Sequence, residues 1–192
     1  TLADILLGKV NPSGKLNVSF PRSTGNTPCF YNHFVTDREE PFDQPGTPEE
    51  PKGHYIFDKP EPLWNFGHGK SYTTFDYVDC ALSDTLLVAS DTLKVSVMIK
   101  NTGRCDGKEV VQLYVRDKVS TVATPIQQLK AFQKVLIKPG ESQCVELSLP
   151  IAELALYNAK MEEVVEPGDF EIQIGAASDD IRFKKTITIN RK

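Results

Sequence analysis

The sequence predicts a mainly β protein in which an antiparallel β-sandwich follows a long extended connector and a short helix and strand. Seven segments of alternating apolar and polar residues lie after Phe75, and turn residues separate them. Before that point, residues 21–62 are dense in proline, glycine and charge, which disfavours both helices and interior strands. We therefore divide the chain into residues 1–20, the connector 21–74 and the sandwich 75–192.

The composition is that of an ordinary globular protein, and it disfavours several classes of function. Of the 192 residues, 40% are hydrophobic and 25% are charged, and this length suffices for one large or two small domains. The net charge is −4 and the Lys and Arg residues are scattered, so no basic face for a nucleic acid is expected. No apolar run approaches the roughly 18 residues of a membrane span, and the first residues show no signal-peptide pattern.

Residues 1–20 have the pattern of a helix end followed by a strand. Residues 1–8 resemble the last helical turns before a glycine cap, without an N-cap in front of them. A turn at 11–14 then precedes the alternating residues 15–20. Because one short helix and one strand cannot bury a core, we expect these residues to close an α/β domain that lies upstream in a longer polypeptide.

The connector is expected to be extended and to end in a joint, which we define as residues 62–75. A structureless stretch of this length is reasonable between two domains, where aromatic residues can pin it at intervals. The expected pins are Phe30, Tyr31, Phe34, Tyr55 and Phe57. The joint gathers the only Trp, two Phe and one Tyr around two closely spaced glycines, which indicates a bend where backbone approaches backbone.

Seven predicted strands make up the sandwich, and their number and spacing are those of an immunoglobulin-like fold. A short helical turn is expected at residues 150–154, between two of the strands. The predicted strands are 75–82, 93–100, 111–116, 129–136, 145–149, 170–174 and 183–189.

No residue of the chain is predicted to be catalytic or to bind a metal or a cofactor. The pattern at 67–71 lacks the first glycine of a phosphate-binding loop. The three histidines have no ligand at a metal-binding spacing, and nothing in the sequence desolvates the carboxylates of the connector as general-acid catalysis requires. These residues are His33, His54 and His68, and Glu39, Glu40, Glu49 and Glu50.

The four cysteines are expected to be buried free thiols, although their even number would permit two disulfides. They lack a C-x-x-C pair, which makes a zinc site improbable. They are Cys29, Cys80, Cys105 and Cys144.

Aromatic residues leave one route to ligand binding, because sugar rings stack on aromatic faces. Trp64, Phe66, Tyr72 and the Phe30-Tyr31 pair could line a sugar cleft, but packing between two domains is the favoured interpretation. On the outward faces of the strands, Tyr114 is the main aromatic residue.

Several motifs in the right order resemble glycoside hydrolase family 3. Residues 2–8, 11–16 and 20–21 resemble the close of its α/β sandwich domain, and the joint resembles its P-L-Y-P-F-G-Y-G-L-S-Y-T-T-F signature. The motifs that resemble its C-terminal fibronectin type III-like domain are residues 101–103, 106–107, 109–115, 129–132, 139–141 and 166–168. The joint departs from the signature at Trp64, Asn65, His68 and Lys70.

The resemblance implies an exo-acting, retaining β-glycosidase, either a β-glucosidase or, as the second choice, a β-xylosidase. Such enzymes use an Asp nucleophile and a Glu acid/base. In the family both residues precede the segment that resembles residues 1–20, so no catalytic residue is carried over and this chain alone is expected to be inactive. The resemblance also implies upstream catalytic domains as partners, a β-linked glycoside as the parent's substrate, and a periplasmic or secreted location.

Two other interpretations stay open. The chain could be a stand-alone carbohydrate-binding or adhesion module, although the outward strand positions carry mostly Lys, Ser, Gln, Glu and Thr. A connector residue such as Asp37 or Arg38 could touch the substrate, but nothing in the sequence makes either one a site.

Overall fold

The computed structural model describes residues 2–34 and 61–191. The predicted pins Tyr55 and Phe57, together with Asp37, Arg38 and His54, lie outside the described residues. The four connector carboxylates named above lie outside them as well. The described chain is mainly β, as the alternating pattern predicts.

Two sheets face each other and form the predicted sandwich. One has the strand order β1-β3-β6, and the other has the order β2-β10-β9-β4-β5. All pairs are antiparallel except β2 with β10, and β7 pairs with β8 apart from both sheets. The strands are β1 (Phe75–Leu82), β2 (Leu86–Leu87), β3 (Thr92–Asn101), β4 (Gly107–Asp117), β5 (Gln128–Ile137), β6 (Ser142–Pro150), β7 (Leu156–Tyr157), β8 (Glu163–Val164), β9 (Gly168–Gly175) and β10 (Ile181–Ile189).

The core lies between the sheets and consists of the inward residues of each strand. In β3, Leu93, Val95, Val97 and Ile99 are fully buried while the residues between them are more exposed, which is the predicted alternation. A 3₁₀ turn, Ile151–Leu154, follows β6 where a single helical turn is predicted. The seven predicted strands are therefore all present, and the structure adds the three short strands β2, β7 and β8.

The N-terminal segment, which we define as residues 2–20, begins with the short helix α1 (Leu2–Leu6). Gly8 follows the helix, and its φ of 70° is the left-handed conformation of a glycine cap. The Lys9 amide then donates a hydrogen bond of 2.8 Å to the Asp4 carbonyl oxygen. The predicted helix end and its cap are thus both present.

The predicted strand at 15–20 does not form a regular strand, which corrects the expectation from its alternation. Leu16 exchanges two backbone hydrogen bonds of 2.8 Å with residues 67 and 68, and an isolated bridge joins Phe20 to Trp64. The pairing is interrupted because the joint turns between these contacts, where the His68 amide bonds the Asn65 carbonyl oxygen. The segment therefore lies along the joint as an irregular antiparallel partner.

Candidate functional site

The bend of the joint depends on glycine, as its sequence predicts. Gly67 has φ of 81°, and a Cβ at this position would overlap the Gln112 side chain of β4. A Cβ on Gly69 would lie 2.5 Å from the Gly14 carbonyl oxygen, so the joint and the N-terminal segment touch backbone to backbone. These two glycines bring the joint into direct contact with both the sandwich and the N-terminal segment.

Asn11 ties the N-terminal segment to the joint and to the sandwich at once. Its Nδ2 donates to the Asp106 carbonyl oxygen at 2.9 Å, in the loop between β3 and β4. Its Oδ1 accepts from the Tyr72 amide at 2.8 Å and from Ser71 Oγ at 3.1 Å. One amide side chain therefore holds three parts of the chain together.

Asn101 is the buried polar centre beneath the joint. Its Oδ1 accepts from Thr73 Oγ1 at 2.6 Å and from the Gly103 amide at 3.0 Å. Its Nδ2 donates to the Cys105 and Ile137 carbonyl oxygens at 2.9 and 2.8 Å. The Asn101 side chain thus uses all four of its hydrogen-bonding positions, as a buried amide requires.

An ion pair joins the N-terminal segment to β4. Lys15 Nζ lies 3.1 Å from Glu109 Oε1, and the two side chains are only 18% and 8% exposed. The Tyr77 hydroxyl lies at the limit of hydrogen bonding to the same oxygen, at 3.5 Å. Burial, followed by the negative charge of Glu109, raises the pKa of the Tyr77 phenol well above its ordinary value.

Aromatic residues of the connector cover the outer face of β4, which corrects the expectation that Tyr114 is exposed. Tyr31 stacks on Phe66 with ring centroids 4.1 Å apart, and its edge packs against Tyr114 at 5.9 Å. Tyr114 is fully buried as a result, and its hydroxyl donates to Gln112 Oε1 at 2.6 Å. Alternation in the sequence shows that the residue faces away from the core but cannot show what lies over it.

A groove of about 640 Å³ opens beside this aromatic cover. Its walls come from the loops 28–34, 61–65, 126–127 and 178–179. Phe30 and Phe34 stand in one wall and remain 61% and 55% exposed. Two other lining residues are hydrogen-bonded to each other, since Asn65 Nδ2 donates to Asp179 Oδ2 at 2.7 Å.

The structure divides the aromatic residues that the sequence singles out. Phe30 and Tyr31 line the groove, whereas Trp64, Phe66 and Tyr72 are not among its lining residues. Trp64 packs edge-on against Phe20 at 5.8 Å, and the Tyr72 hydroxyl donates to the Ile5 carbonyl oxygen at 2.7 Å. Three of these residues therefore hold the joint together, and two face the groove.

No metal site appears within residues 2–34 and 61–191, where no group of three His, Cys, Asp or Glu side chains is placed to hold an ion. None of the helices in this part of the chain is long and apolar enough to cross a membrane. The four cysteines form no disulfides. Cys80 is buried, Cys29 and Cys105 are half-buried and Cys144 is exposed, so the expectation of burial holds fully for Cys80 alone.

Comparison with known protein families gives two matches on this chain. Residues 1–72 match the glycosyl hydrolase family 3 C-terminal domain, and residues 109–178 match the fibronectin type III-like domain. The first match contains the N-terminal segment and most of the joint, and the second extends from within β4 to just beyond the end of β9.

Similar proteins of known name cover the same residues and are much longer. A β-xylosidase of Formosa agariphila is 40% identical over 100% of this chain, which covers 25% of that protein. A periplasmic β-glucosidase of Salmonella typhimurium is 39% identical over 94% of the chain, which covers 23% of that protein. The chain thus spans about a quarter of the length of the relatives that it matches.

Solved structures show the same fold. The crystal structure of a Listeria innocua β-glucosidase in complex with glucose superposes with a TM-score of 0.85 at 37% identity, over 99% of this chain and 26% of that one. The β-glucosidase 3B of Thermotoga neapolitana superposes with a TM-score of 0.77 at 36% identity. The two domain matches, the relatives and the shared fold lead to one conclusion: the chain belongs to glycosyl hydrolase family 3 and corresponds to the C-terminal region of its β-glucosidases and β-xylosidases.

Proposed function

We propose that this chain is the scaffold region of a retaining exo-β-glycosidase, and that the parent polypeptide removes terminal β-linked sugars. A β-glucosidase is the first choice and a β-xylosidase the second. Both activities occur in the names of relatives that match nearly the whole chain. The catalytic nucleophile and the acid/base belong to other domains of the parent, and this region stabilises and orients those domains.

The observation that carries the proposal is the tight coupling of the N-terminal segment to the sandwich. Asn11 and the pair of Lys15 with Glu109 connect residues 2–20 to β4 and to the loop before it. A segment held in this way transmits the orientation of the sandwich to whatever precedes it in the polypeptide. A flexible tether would have no need of a buried ion pair, whose charges are costly to desolvate.

Exposed apolar residues mark the surfaces where the other domains would dock. The helix α1 exposes apolar side chains, although a short helix needs to bury an apolar face. The largely exposed residues are Leu2 and Leu6 of the helix and Leu7, which follows it. On β5, Phe132 is 66% exposed, and Leu136 on the same face is also exposed. The proposed partner of both surfaces is the remainder of the parent enzyme.

The carboxylates of the described residues support a non-catalytic role. A retaining glycosidase needs two carboxyl groups about 5–5.5 Å apart on either side of the scissile bond. Glu109 is the one buried acid among residues 2–34 and 61–191, and Lys15 pairs with it. That pair joins two parts of the fold, so Glu109 is not available as a nucleophile. The proposed location of the parent is the periplasm or the cell exterior, which the periplasmic relative supports.

The docking surfaces can be tested in the parent polypeptide. Phe132→Glu places a charge on the proposed interface, whereas Lys94→Glu changes the charge of an exposed polar residue on β3, in the other sheet. We expect the Phe132 variant to separate the unfolding of the sandwich from that of the other domains in differential scanning calorimetry. The Lys94 variant should unfold like the wild type. Identical unfolding of both variants would contradict the assignment of Phe132 to an interface.

A further inference from the structure

The groove beside the aromatic cover has the size of a ligand site. Its volume of about 640 Å³ lies within the range of roughly 300–1,000 Å³ that small-molecule sites occupy. The wall that carries Phe30 and Phe34 is fixed to the sandwich. The Ile126 amide donates to the His33 carbonyl oxygen at 2.9 Å, and a bridge joins Phe34 to Pro125.

The rings of Phe30 and Phe34 are large apolar groups that remain exposed to water. The contacts at His33 and Phe34 anchor this wall to the sandwich, so the rings have a defined position beside the groove. The ring of Tyr31, in contrast, already packs against Phe66 and Tyr114, and its hydroxyl accepts a hydrogen bond from the Leu129 amide at 3.2 Å. Phe30 and Phe34 are therefore the rings available to a ligand.

Other residues that line the groove supply hydrogen-bonding groups. The Asp179 carboxylate is held by Asn65 through one oxygen, which leaves the second oxygen without a partner among the described residues. Glu61 Oε2 is buried and likewise has no hydrogen-bond partner among the described residues. Because that oxygen is closed to solvent, the exposed Asp179 is the carboxylate that a ligand hydroxyl can reach.

The combination of these groups selects among ligand classes. The lining includes two carboxylates, Glu61 and Asp179, and neither Lys nor Arg, which disfavours phosphate and other anions. A purely apolar ligand would leave the acceptors unpaired. A neutral pyranose ring suits both kinds of group, because its C–H faces stack on aromatic rings and its hydroxyls donate to carboxylates.

We propose that this groove binds a sugar ring of a β-linked oligosaccharide, with Phe30 as the stacking platform and Asp179 as the hydroxyl acceptor. The inference deepens the proposed function, because the ligand belongs to the substrate class of that function. It does not depend on catalysis, since every residue that lines the groove lies in this chain.

Titration of the isotope-labelled chain with cellotetraose, and separately with xylotetraose, tests the site by heteronuclear NMR. We expect a dissociation constant on the order of 1 mM for at least one of the two sugars, because the groove is open. The shifts should centre on residues of the groove walls. Phe30→Ala should weaken binding about five- to tenfold, and Asp179→Ala should weaken it by a similar factor.

A matched control comes from Phe132→Ala, since Phe132 is exposed to a similar degree but lies on β5 outside the groove. This variant should bind both sugars like the wild-type chain. The thermal unfolding of all three variants should be close to that of the unsubstituted 192-residue chain. Absence of shifts in the groove with both sugars at 50-fold the expected constant, roughly 50 mM, would overturn the proposal. Equal weakening by Phe132→Ala and Phe30→Ala would overturn it as well, because the binding would then be non-specific.

The inference and the proposed function can fail separately. If the sugars do not bind the chain but the parent polypeptide hydrolyses aryl β-glycosides, the groove assignment is wrong and the function stands. If the sugars bind and Phe30→Ala weakens them while the parent is inactive, the groove stands and the chain belongs to a binding module instead.

Discussion

Removal of the Lys15–Glu109 pair should loosen the N-terminal segment from the sandwich at a measurable cost. Lys15→Met keeps most of the apolar stem and removes the charge, so Glu109 is left buried beside the Tyr77 hydroxyl at 3.5 Å. That contact is at the limit of a hydrogen bond and cannot replace the lost partner. The cost therefore arises mainly from an unpaired carboxylate in a poorly hydrated position.

The expected magnitude follows from the distance and the burial of the pair. At 3.1 Å and an effective dielectric constant of 20, the gross attraction is about 5 kcal/mol, against which the desolvation of both ions must be set. Breaking a buried pair from one side costs about 3–5 kcal/mol, and the residual exposure of Lys15 places this pair at the lower end. We expect Lys15→Met to lower the free energy of unfolding by about 3 kcal/mol.

Urea denaturation of the chain provides the assay, with Trp64 fluorescence as the probe, because this only tryptophan lies in the joint. The double variant Lys15→Met/Glu109→Gln should be more stable than the sum of the single changes by about 1–3 kcal/mol. Lys184→Met serves as a control, since its pair with Glu171 is far more exposed, at 59% and 21%. Single variants within about 0.5 kcal/mol of the wild type, with additive effects, would refute the reasoning.

Four further expectations follow from the described contacts. Asn101→Ala should lower the free energy of unfolding, measured with urea, by about 3 kcal/mol, because it leaves several buried groups without hydrogen-bond partners. A decrease of less than about 1 kcal/mol would argue against the buried network. Gly67→Ala should destabilise the chain by about 2 kcal/mol or more in the same assay, since it combines a positive φ with an overlap on β4; a neutral effect would contradict the described bend. Because the pKa of Tyr77 is raised in the folded chain, its contribution to the free energy of unfolding is fully present below about pH 10 and is lost as the pH rises further, since the unfolded phenol ionises first. Unfolding curves at alkaline pH measure this loss, which Tyr77→Phe should reduce. A thiol reagent should modify Cys144 in the folded chain but Cys80 only on unfolding, since burial raises the pKa of the Cys80 thiol; mass mapping of the modified cysteines decides this point.

The sandwich could be predicted from the sequence because its signal is local. The strand predicted at 75–82 has those bounds in the structure, and the alternation of β3 matches its burial. The short strands β2, β7 and β8 have two residues each, too few to show a period. Their pairing is decided by neighbours that are distant in the sequence.

The groove and the polar contacts of the joint could not be predicted because they join distant residues. Asn101 lies in a recognisable turn sequence, yet its partners Thr73 and Ile137 are 28 and 36 residues away. Asn65 and Asp179 are separated by 114 residues. The irregular pairing of residues 15–20 could not be predicted for the same reason. Alternation indicates which side chains share a face, but it does not show whether the partner segment follows a regular strand.

The most direct test of the central claim compares two proteins in one assay. The parent polypeptide, expected to be about four times as long as this chain, and the 192-residue chain itself are each assayed on aryl β-glucosides and aryl β-xylosides. The account predicts hydrolysis by the parent and none by the chain alone. Hydrolysis by the chain at a rate that persists through further purification, or a natural product no longer than the chain, would contradict it.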